Sequence, residues 1–210
     1  GPATLGENNQ IYVGTVIGTP PQDWSYEESE TGVVIGSDNI LREYVTVNRA
    51  TTPDTMTRIG DDNMIMAYCH VAHDCVVGSN IDMANNVNLS GHVTIGDHAV
   101  VSGLTAFQQF IRVGEYAMVG GLSRIVKDVV PYVRVSGNPL EVYGPNTVGL
   151  RRNNFTSDQR LDIKRAFKTL FRDHESTSDA LVELRQELPD NSTIAPLIEF
   201  VEQSERGIHR

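Results

Sequence analysis

The sequence predicts an all-β solenoid followed by a small α-helical region, and three observations predict it. First, Ile, Val or Leu followed by Gly occurs at Leu5-Gly6, Ile17-Gly18, Ile35-Gly36, Ile59-Gly60, Val77-Gly78, Ile95-Gly96 and Val113-Gly114, at spacings that are all multiples of six. Second, 21 positions fall on every sixth residue from Leu5 to Ile125, and 18 of them hold Leu, Ile, Val, Met or Phe; at 40% hydrophobic content chance fills about eight. Third, beyond Thr156 the spacing becomes helical, with Ile163, Ala166, Phe167 and Leu170 at i, i+3, i+4 and i+7.

A period of six fits neither a flat sheet nor an amphipathic helix. Six residues make one short strand and a turn, and three such units close a triangular coil of about 18 residues. Coils stack at strand spacing, roughly 4.8 Å, with the period-six aliphatics pointing inward. The expected architecture is a left-handed parallel β-helix of hexapeptide repeats over residues 1–145. The position four after each aliphatic is often small or apolar, as at Cys69, Cys75, Ile81, Val87 and Val93, which fits a second inward position. Asp23, Ser29 and Pro53 break the pattern, so segments 19–34 and 48–58 read as loops leaving the prism wall. Loops on a rigid scaffold suit substrate contacts; the second carries nothing that ranks function above a surface insertion. Phase is lost after Val126, and Pro131, Pro139 and Pro145 mark an irregular exit. The helical region, 146–210, opens with a capping box at Thr156-Ser157-Asp158-Gln159. A second helix carries Leu181, Leu184 and Leu188 and ends at Pro189, and a third carries Ile194, Leu197, Ile198 and Val201. Flat prism faces need covering, which predicts a homotrimer.

The 210 residues carry a net charge of -10, which argues against nucleic-acid binding. No run is long and apolar enough for a membrane span, and the first residues do not form a signal peptide. The two cysteines, Cys69 and Cys75, are too few for a disulfide framework and point to a reducing cytoplasm. The chain lacks an initiator Met and its repeat is already running at Leu5, so a fragment or processed product is expected.

Histidine is the first candidate for chemistry, being a base near neutral pH. His70, His73, His92 and His98 take outward phases of the repeat. His73 precedes Asp74, and residues 73 and 92 lie about one coil apart on one wall. Read from the residues alone, the cluster is a catalytic base, a plain surface or interface group, or a zinc site of His70, His73 and one of His92 and His98. Against zinc, His70 and His73 sit at different phases.

The string from Ala67 to Gly78, with His70-Val71-Ala72-His73-Asp74-Cys75 at its centre, resembles the His-x-x-His-Asp-Cys signature of the UDP-N-acetylglucosamine O-acyltransferase family. Met83-Ala84-Asn85-Asn86, Leu89-Ser90-Gly91-His92-Val93, Met118-Val119-Gly120-Gly121, Gly137-Asn138-Pro139, Tyr143-Gly144-Pro145-Asn146 and Ser204-Glu205-Arg206-Gly207-Ile208 resemble later family segments in order. The likeness spans the whole chain and lacks about three amino-terminal coils.

The resemblance implies transfer of a 3-hydroxyacyl chain from acyl carrier protein to the 3-hydroxyl of UDP-N-acetylglucosamine, the first step of lipid A biosynthesis. No cofactor and no covalent intermediate is implied. His73 would be the general base, Asp74 its orienting partner, and the N–H of Gly91 an oxyanion donor. His92 and Gln109 would contact the sugar or acyl chain, and Asn146 and Arg152 the nucleotide. Asp23, His70 and Asn138 would be further substrate contacts, and Gly121 would limit acyl length. Where the family has Lys, His, His and Arg, this chain has Ser25, Gln108, Pro139 and Asn153. Losing those groups weakens anion binding and leaves room for a modified nucleotide sugar, for another acyl- or acetyltransferase on the same prism, or for a non-catalytic trimer.

Charge offers a separate view of the partner. Residues 151–172 hold seven of the 17 Lys and Arg, namely Arg151, Arg152, Arg160, Lys164, Arg165, Lys168 and Arg172, against Asp158 and Asp162. A basic patch on an acidic protein suits an acidic partner such as acyl carrier protein, with Arg151, Arg152, Lys164, Arg165, Lys168 and Arg172 as docking residues; a face paired in cis with acidic side chains is the alternative.

Overall fold

A computed structural model describes residues 1–189 and 191–210. It is a left-handed parallel β-helix carrying three sheets of six, eight and six strands, followed by helices. The inward residues stack in three columns, and the strand register pairs each with its counterpart in the next coil. One column runs Leu5, Ile35, Ile59, Val77, Ile95, Val113. The second runs Ile11, Leu41, Ile65, Met83, Val101, Val119, Val135. The third runs Ile17, Val47, Val71, Leu89, Phe107, Ile125. Fully burying such a side chain contributes about 1.5–3 kcal/mol, so the columns are the main cohesive element.

The second inward position also holds: Cys69, Cys75, Ile81, Val87, Val93, Ala99, Thr105, Ile111, Ala117 and Ser123 are all buried. In earlier coils this phase carries Asn39 and Asn63, buried and hydrogen-bonded along the axis. Asn63 N–H donates to Asn39 Oδ1, Asn63 Nδ2 donates to Gly78 O, and Ile81 N–H donates to Asn63 Oδ1. Leu5 and Ile11 keep this register and are exposed.

Most corners turn through a left-handed residue three after the inward aliphatic. Asp38, Asp62, Asn80, His98 and Tyr116 mark one edge, Tyr44, Tyr68, Asn86, Leu104 and Leu122 the second, and Asp74, His92 and Phe110 the third. Asn, Asp and His tolerate this conformation best. Where bulky residues take it, rings stack along the edge, as Tyr44 on Tyr68 at 5.2 Å and His98 on Tyr116 at 4.6 Å.

Both excursions leave from that third edge. The first separates strands Val16–Thr19 and Gly32–Ile35, the second separates Thr46–Asn48 and Met56–Ile59, and the next passage across the same edge carries His73 and Asp74.

Stacking does not stop at Ile125, as the lost six-residue phase suggests. Val129 bridges to Val113 and Val135 pairs with Val119, both buried, so a final coil two residues short still fills the prism. Strands Val133–Ser136 and Glu141–Pro145 then form an antiparallel pair. The sequence reading missed α1 (Thr147–Arg152), a single short helix capped by Asn146. Helix α2 (Ser157–Lys168) starts with the expected capping box and runs into a π turn, Thr169–Asp173. Helices α3 (Thr177–Glu187) and α4 (Ala195–Glu202) follow.

The carboxy-terminal segment returns to close the solenoid. Asp128 N–H donates to Gly207 O and His209 N–H donates to Asp128 O. The N–H groups of Val126 and Lys127 both point at His209 Nε2, at 3.4 and 3.1 Å, which requires the neutral ring. Burial, with the nearby Lys127 charge, pulls His209 down to about 4. The folded ring therefore resists a proton that the unfolded chain takes up below about 6.5. Its stabilisation is complete above that pH and is lost as pH falls toward 4. Urea midpoints at pH 7 and pH 4.5 should differ more for the native chain than for His209→Gln.

Candidate active site

The third edge brings three layers of turn residues together: His73 and Asp74, then Gly91 and His92, then Gln109 and Phe110. The strands leading into the edge pair His70 with Asn88 and Val71 with Leu89, and the same register carried into the turn puts Gly91 against His73 and His92 against Asp74. Asp74 N–H and His92 N–H run along the edge, to Thr57 Oγ1 and to His73 O.

His73 Nδ1 lies 2.9 Å from Asp74 Oδ2, and both side chains are largely buried. With Nδ1–H donated to the carboxylate, the lone pair is on Nε2, the arrangement a general base needs. The same carboxylate oxygen lies 3.6 Å from His92 Nε2. The two imidazoles meet edge to face at 5.3 Å, and His92 stacks on Phe110 at 4.5 Å. Burial alone would raise the Asp74 pKa; the Thr51 hydroxyl, the bond to His73, the Thr51 N–H and the His92 charge outweigh it and lower it. Asp74 is thus held as the anion.

Gly91 is required by this packing. A Cβ there would collide with Cε1 and Nε2 of His73, so the reactive edge of the ring lies directly over the Gly91 backbone. Along another edge, the N–H at the equivalent turn position donates to the next coil: Ser37 to Asp61 Oδ1 at 2.6 Å, Asp61 to Ser79 Oγ at 3.0 Å, and Ser79 to Asp97 Oδ1 at 2.8 Å. At Gly91 the next coil presents the exposed Gln109, and the N–H has no acceptor among the described residues. A base nitrogen and a free N–H donor therefore share one spot.

His70 lies on the strand that leads into the edge, bonded through Nδ1 to Thr46 Oγ1 at 2.7 Å; burial, then the charge of His73, lowers its pKa. His98 is on a different edge, stacked on Tyr116, and His70 lies outside the cluster of ligand atoms, so the three-imidazole zinc set is not assembled among the described residues. The ligand atoms within 4.8 Å of one another are those of His73, Asp74 and His92. Asp23, in the first excursion, is exposed. Its Oδ1 accepts the Ser25 N–H and hydroxyl, each at 2.8 Å, which lower its pKa, and the His73 and His92 charges add to the effect. The first loop therefore lies within electrostatic reach of the imidazoles, and Ser25 holds Asp23.

Other predicted contacts lie elsewhere on this chain. Gly121 is exposed on the second edge, with Gly103 O 3.1 Å from where a Cβ would stand. Asn138 is exposed in the turn of the terminal strand pair. Asn146 is buried, with its amide committed: Oδ1 accepts Gly149 N–H and Nδ2 donates to Tyr116 O, which gives it a capping role. Arg151 and Arg152 are exposed in the last turn of α1.

The basic patch flanks a groove of about 390 Å³ between α2 and the last strand. Tyr143, Leu161 and Phe167 floor it, and Lys164, Arg165, Lys168 and Arg172 rim it. Arg165 and Lys168 reach Asp162 and Asp173, at 3.5 and 3.2 Å. Cys69 and Cys75 are buried, and burial pushes their thiols up to about 11 and about 12, which removes them as nucleophiles.

Sequence reasoning passed over Thr51 and Thr55 in the second excursion and Thr57 on the strand that ends it, all in contact with Asp74, although this stretch offered the visible signal of clustered threonines. It also passed over Phe110, which counting one further coil from His92 would have placed.

Gly91→Ala should push the His73 ring off the edge. The expected result is loss of the imidazole proton resonance shared with Asp74, with circular dichroism unchanged and stability lowered by about 1–3 kcal/mol. A retained resonance would mean the ring does not depend on Gly91.

Residues 128–209 match the model of the family described as Udp N-acetylglucosamine O-acyltransferase, domain 2, and residues 56–91 match bacterial transferase hexapeptide repeats. The acyl-[acyl-carrier-protein]–UDP-N-acetylglucosamine O-acyltransferase of Synechocystis is 46% identical over 184 residues, covering 88% of this chain and 67% of that protein. Two solved structures of UDP-N-acetylglucosamine acyltransferases superpose over 100% of this chain and 82% of their own. The Moraxella catarrhalis enzyme does so with a TM-score of 0.96 at 40% identity, and the Bacteroides fragilis enzyme with 0.96 at 36%. With the repeat and the helical region matched and 46% identity over 88% of its length, the chain belongs to the UDP-N-acetylglucosamine O-acyltransferase family.

Proposed function

We propose that this protein transfers a 3-hydroxyacyl chain from acyl carrier protein to the 3-hydroxyl of UDP-N-acetylglucosamine, with His73 as general base. The observation that carries the reading is the juxtaposition of His73 Nε2, oriented through Nδ1 by Asp74, with the unpaired N–H of Gly91 on the adjoining coil. The sugar hydroxyl oxygen attacks the thioester carbonyl as His73 Nε2 takes its proton. The negative carbonyl oxygen accepts from Gly91 N–H. Collapse breaks the carbon–sulfur bond, and the proton on His73 goes to the departing thiolate. No group on the protein is acylated, in keeping with two inert core thiols. Oxyanion donors of this kind contribute about 10²–10³ in rate and a positioned base about 10²–10⁴.

The remaining contacts are divided among different edges of one chain. A homotrimer that seats the His73 edge of one copy against another copy would bring Gly121, Asn138 and Arg152 toward His73, to join the Asp23, His70, His92 and Gln109 of its own chain. The exposed Leu104 and Leu122 beside Gly103 and Gly121 support an apolar lining there, where the bare Gly121 leaves room for an acyl tail. Ser25, Gln108, Pro139 and Asn153 favour a second arm of the same reaction, a modified nucleotide sugar, because fewer cations and imidazoles face the diphosphate. The described residues contain no helix long and apolar enough to cross a membrane. We place the reaction in the cytoplasm, consistent with two unpaired cysteines.

The test is an assay of purified protein with 3-hydroxyacyl carrier protein and UDP-N-acetylglucosamine. His73→Ala should lower kcat by about 10²–10⁴ with fold and assembly intact, since the side chain supports no core packing. Near-full activity in that variant would remove the mechanism.

The cationic groove fits the acidic carrier, its apolar floor taking a helix face and its rim the acidic side chains. Charge reversal at Lys164 and Arg165 should raise the apparent KM for the carrier at least tenfold, most strongly at low salt, and leave KM for the sugar nucleotide unchanged. Equal reaction of a carrier-free acyl thioester in native and variant protein is expected. Equal loss with both donors would exclude docking at this groove.

A further inference from the structure

We infer that Thr51, in the second excursion, is the positioning residue that commits the Asp74 carboxylate to His73. The inference rests on the reading of His73 as the base.

Asp74 Oδ2 stands between two imidazoles, 2.9 Å from His73 Nδ1 and 3.6 Å from His92 Nε2. Rotation about the Asp74 side chain would let the oxygen trade one ring for the other. The other contacts on that residue come from the 48–58 excursion. Thr51 Oγ1 donates to the same Oδ2 at 2.7 Å, and Thr51 N–H sits 3.2 Å from both carboxylate oxygens. Thr55 Oγ1 approaches Oδ1 at 3.4 Å, and Thr57 Oγ1 accepts Asp74 N–H at 2.9 Å. The loop therefore holds both carboxylate oxygens, including the one that faces the rings. The bond from the Thr51 hydroxyl is the shortest of these, and it is charge-assisted, so it is stronger than the longer contacts around it. It fixes the direction in which Oδ2 faces, and so the ring tautomer that leaves Nε2 of His73 unprotonated.

The loop is in the right place for this work. It leaves and re-enters the prism at the third edge, one coil before His73, so its chain passes directly over the Asp74 turn. Its polar, threonine-rich sequence, Thr51-Thr52-Pro53-Asp54-Thr55-Met56-Thr57, supplies hydroxyls where an apolar insertion would supply none.

The experiment is steady-state kinetics on Thr51→Val, Thr51→Ser, Asp74→Asn and the Thr51→Val/Asp74→Asn double variant, with the carrier-bound acyl donor and UDP-N-acetylglucosamine. Thr51→Val should lower kcat about tenfold with KM for the sugar nucleotide within about twofold, and Thr51→Ser should restore most of the loss. In the Asp74→Asn background, Thr51→Val should cost less than about twofold, because the residue acts only through that carboxylate. Thr51→Ala, which deletes the same hydroxyl with less bulk, reads the same outcome if valine disturbs the loop. Unchanged kcat in both hydroxyl-deleting variants overturns the inference. So does the same loss with and without the Asp74 carboxylate, or a serine variant as slow as valine. Full activity of His73→Ala or Asp74→Asn would instead overturn the reading beneath it, a different and separately visible result.

Discussion

The register of one coil upon the next is the constraint on which everything else here depends. Parallel pairing of coil on coil makes a side chain's neighbours those one full turn of the prism away, whatever lies between. Val71 stacks on Leu89 and Leu89 on Phe107 in the interior, and by the same arithmetic His73 meets Gly91 and Asp74 meets His92 outside. Slipping one residue would turn the aliphatic column outward and separate the imidazole from its glycine at once. Stability and site geometry are two readings of a single register, so selection for a filled prism also holds the site.

The corners add a second demand. A left-handed conformation recurs three residues after most inward aliphatics, and non-glycine residues adopt it at a cost. Asp74 and His92 occupy such positions, and both belong to the residue types that tolerate them best. The carboxylate and the second imidazole therefore sit where the scaffold already favours short polar side chains. Phe110 continues the edge with a bulky ring in the same conformation, and its stacking on His92 offsets part of that cost, such contacts being worth about 0.5–1.5 kcal/mol. One edge thereby holds reactive groups in two layers and an aromatic floor in the third.

Much of this was legible in the sequence because periodicity is a one-dimensional property that the fold preserves. The aliphatic columns, the second inward phase, the pairing of residue 73 with the coil of 91 and 92, and the α2 capping box all follow from counting. What counting missed has identifiable causes. The last coil loses two residues, so Val129 and Val135 drop out of the sixfold phase although they still fill the prism. Asn146 caps α1 and donates to Tyr116 O, contacts that no spacing reveals. The threonines on Asp74 escaped because an excursion has no register: where it lands depends on the loop's path, and only the points of departure and return are fixed by period.

Those two points explain why the excursions help the site rather than disturb it. Ile59 pairs with Val77 across one uninterrupted coil, whereas Leu5 pairs with Ile35 and Ile35 with Ile59 across coils that carry an excursion. The first of those coils is longer than the uninterrupted one by two hexapeptide units, and the second by one. Each insertion is a whole number of repeat units, and the chain re-enters on the next sheet of the prism in the same phase. An insertion of any other length would have to absorb its remainder in an irregular turn or shift every later column. Both insertions also leave at the edge that carries His73, so the scaffold tolerates added chain where added chain can touch the reacting groups. Asp23 in the first loop feels the imidazole charges, and Thr51 in the second holds the carboxylate. A whole-unit insertion at a corner keeps every later column in phase, and here both insertions place added chain beside the chemistry.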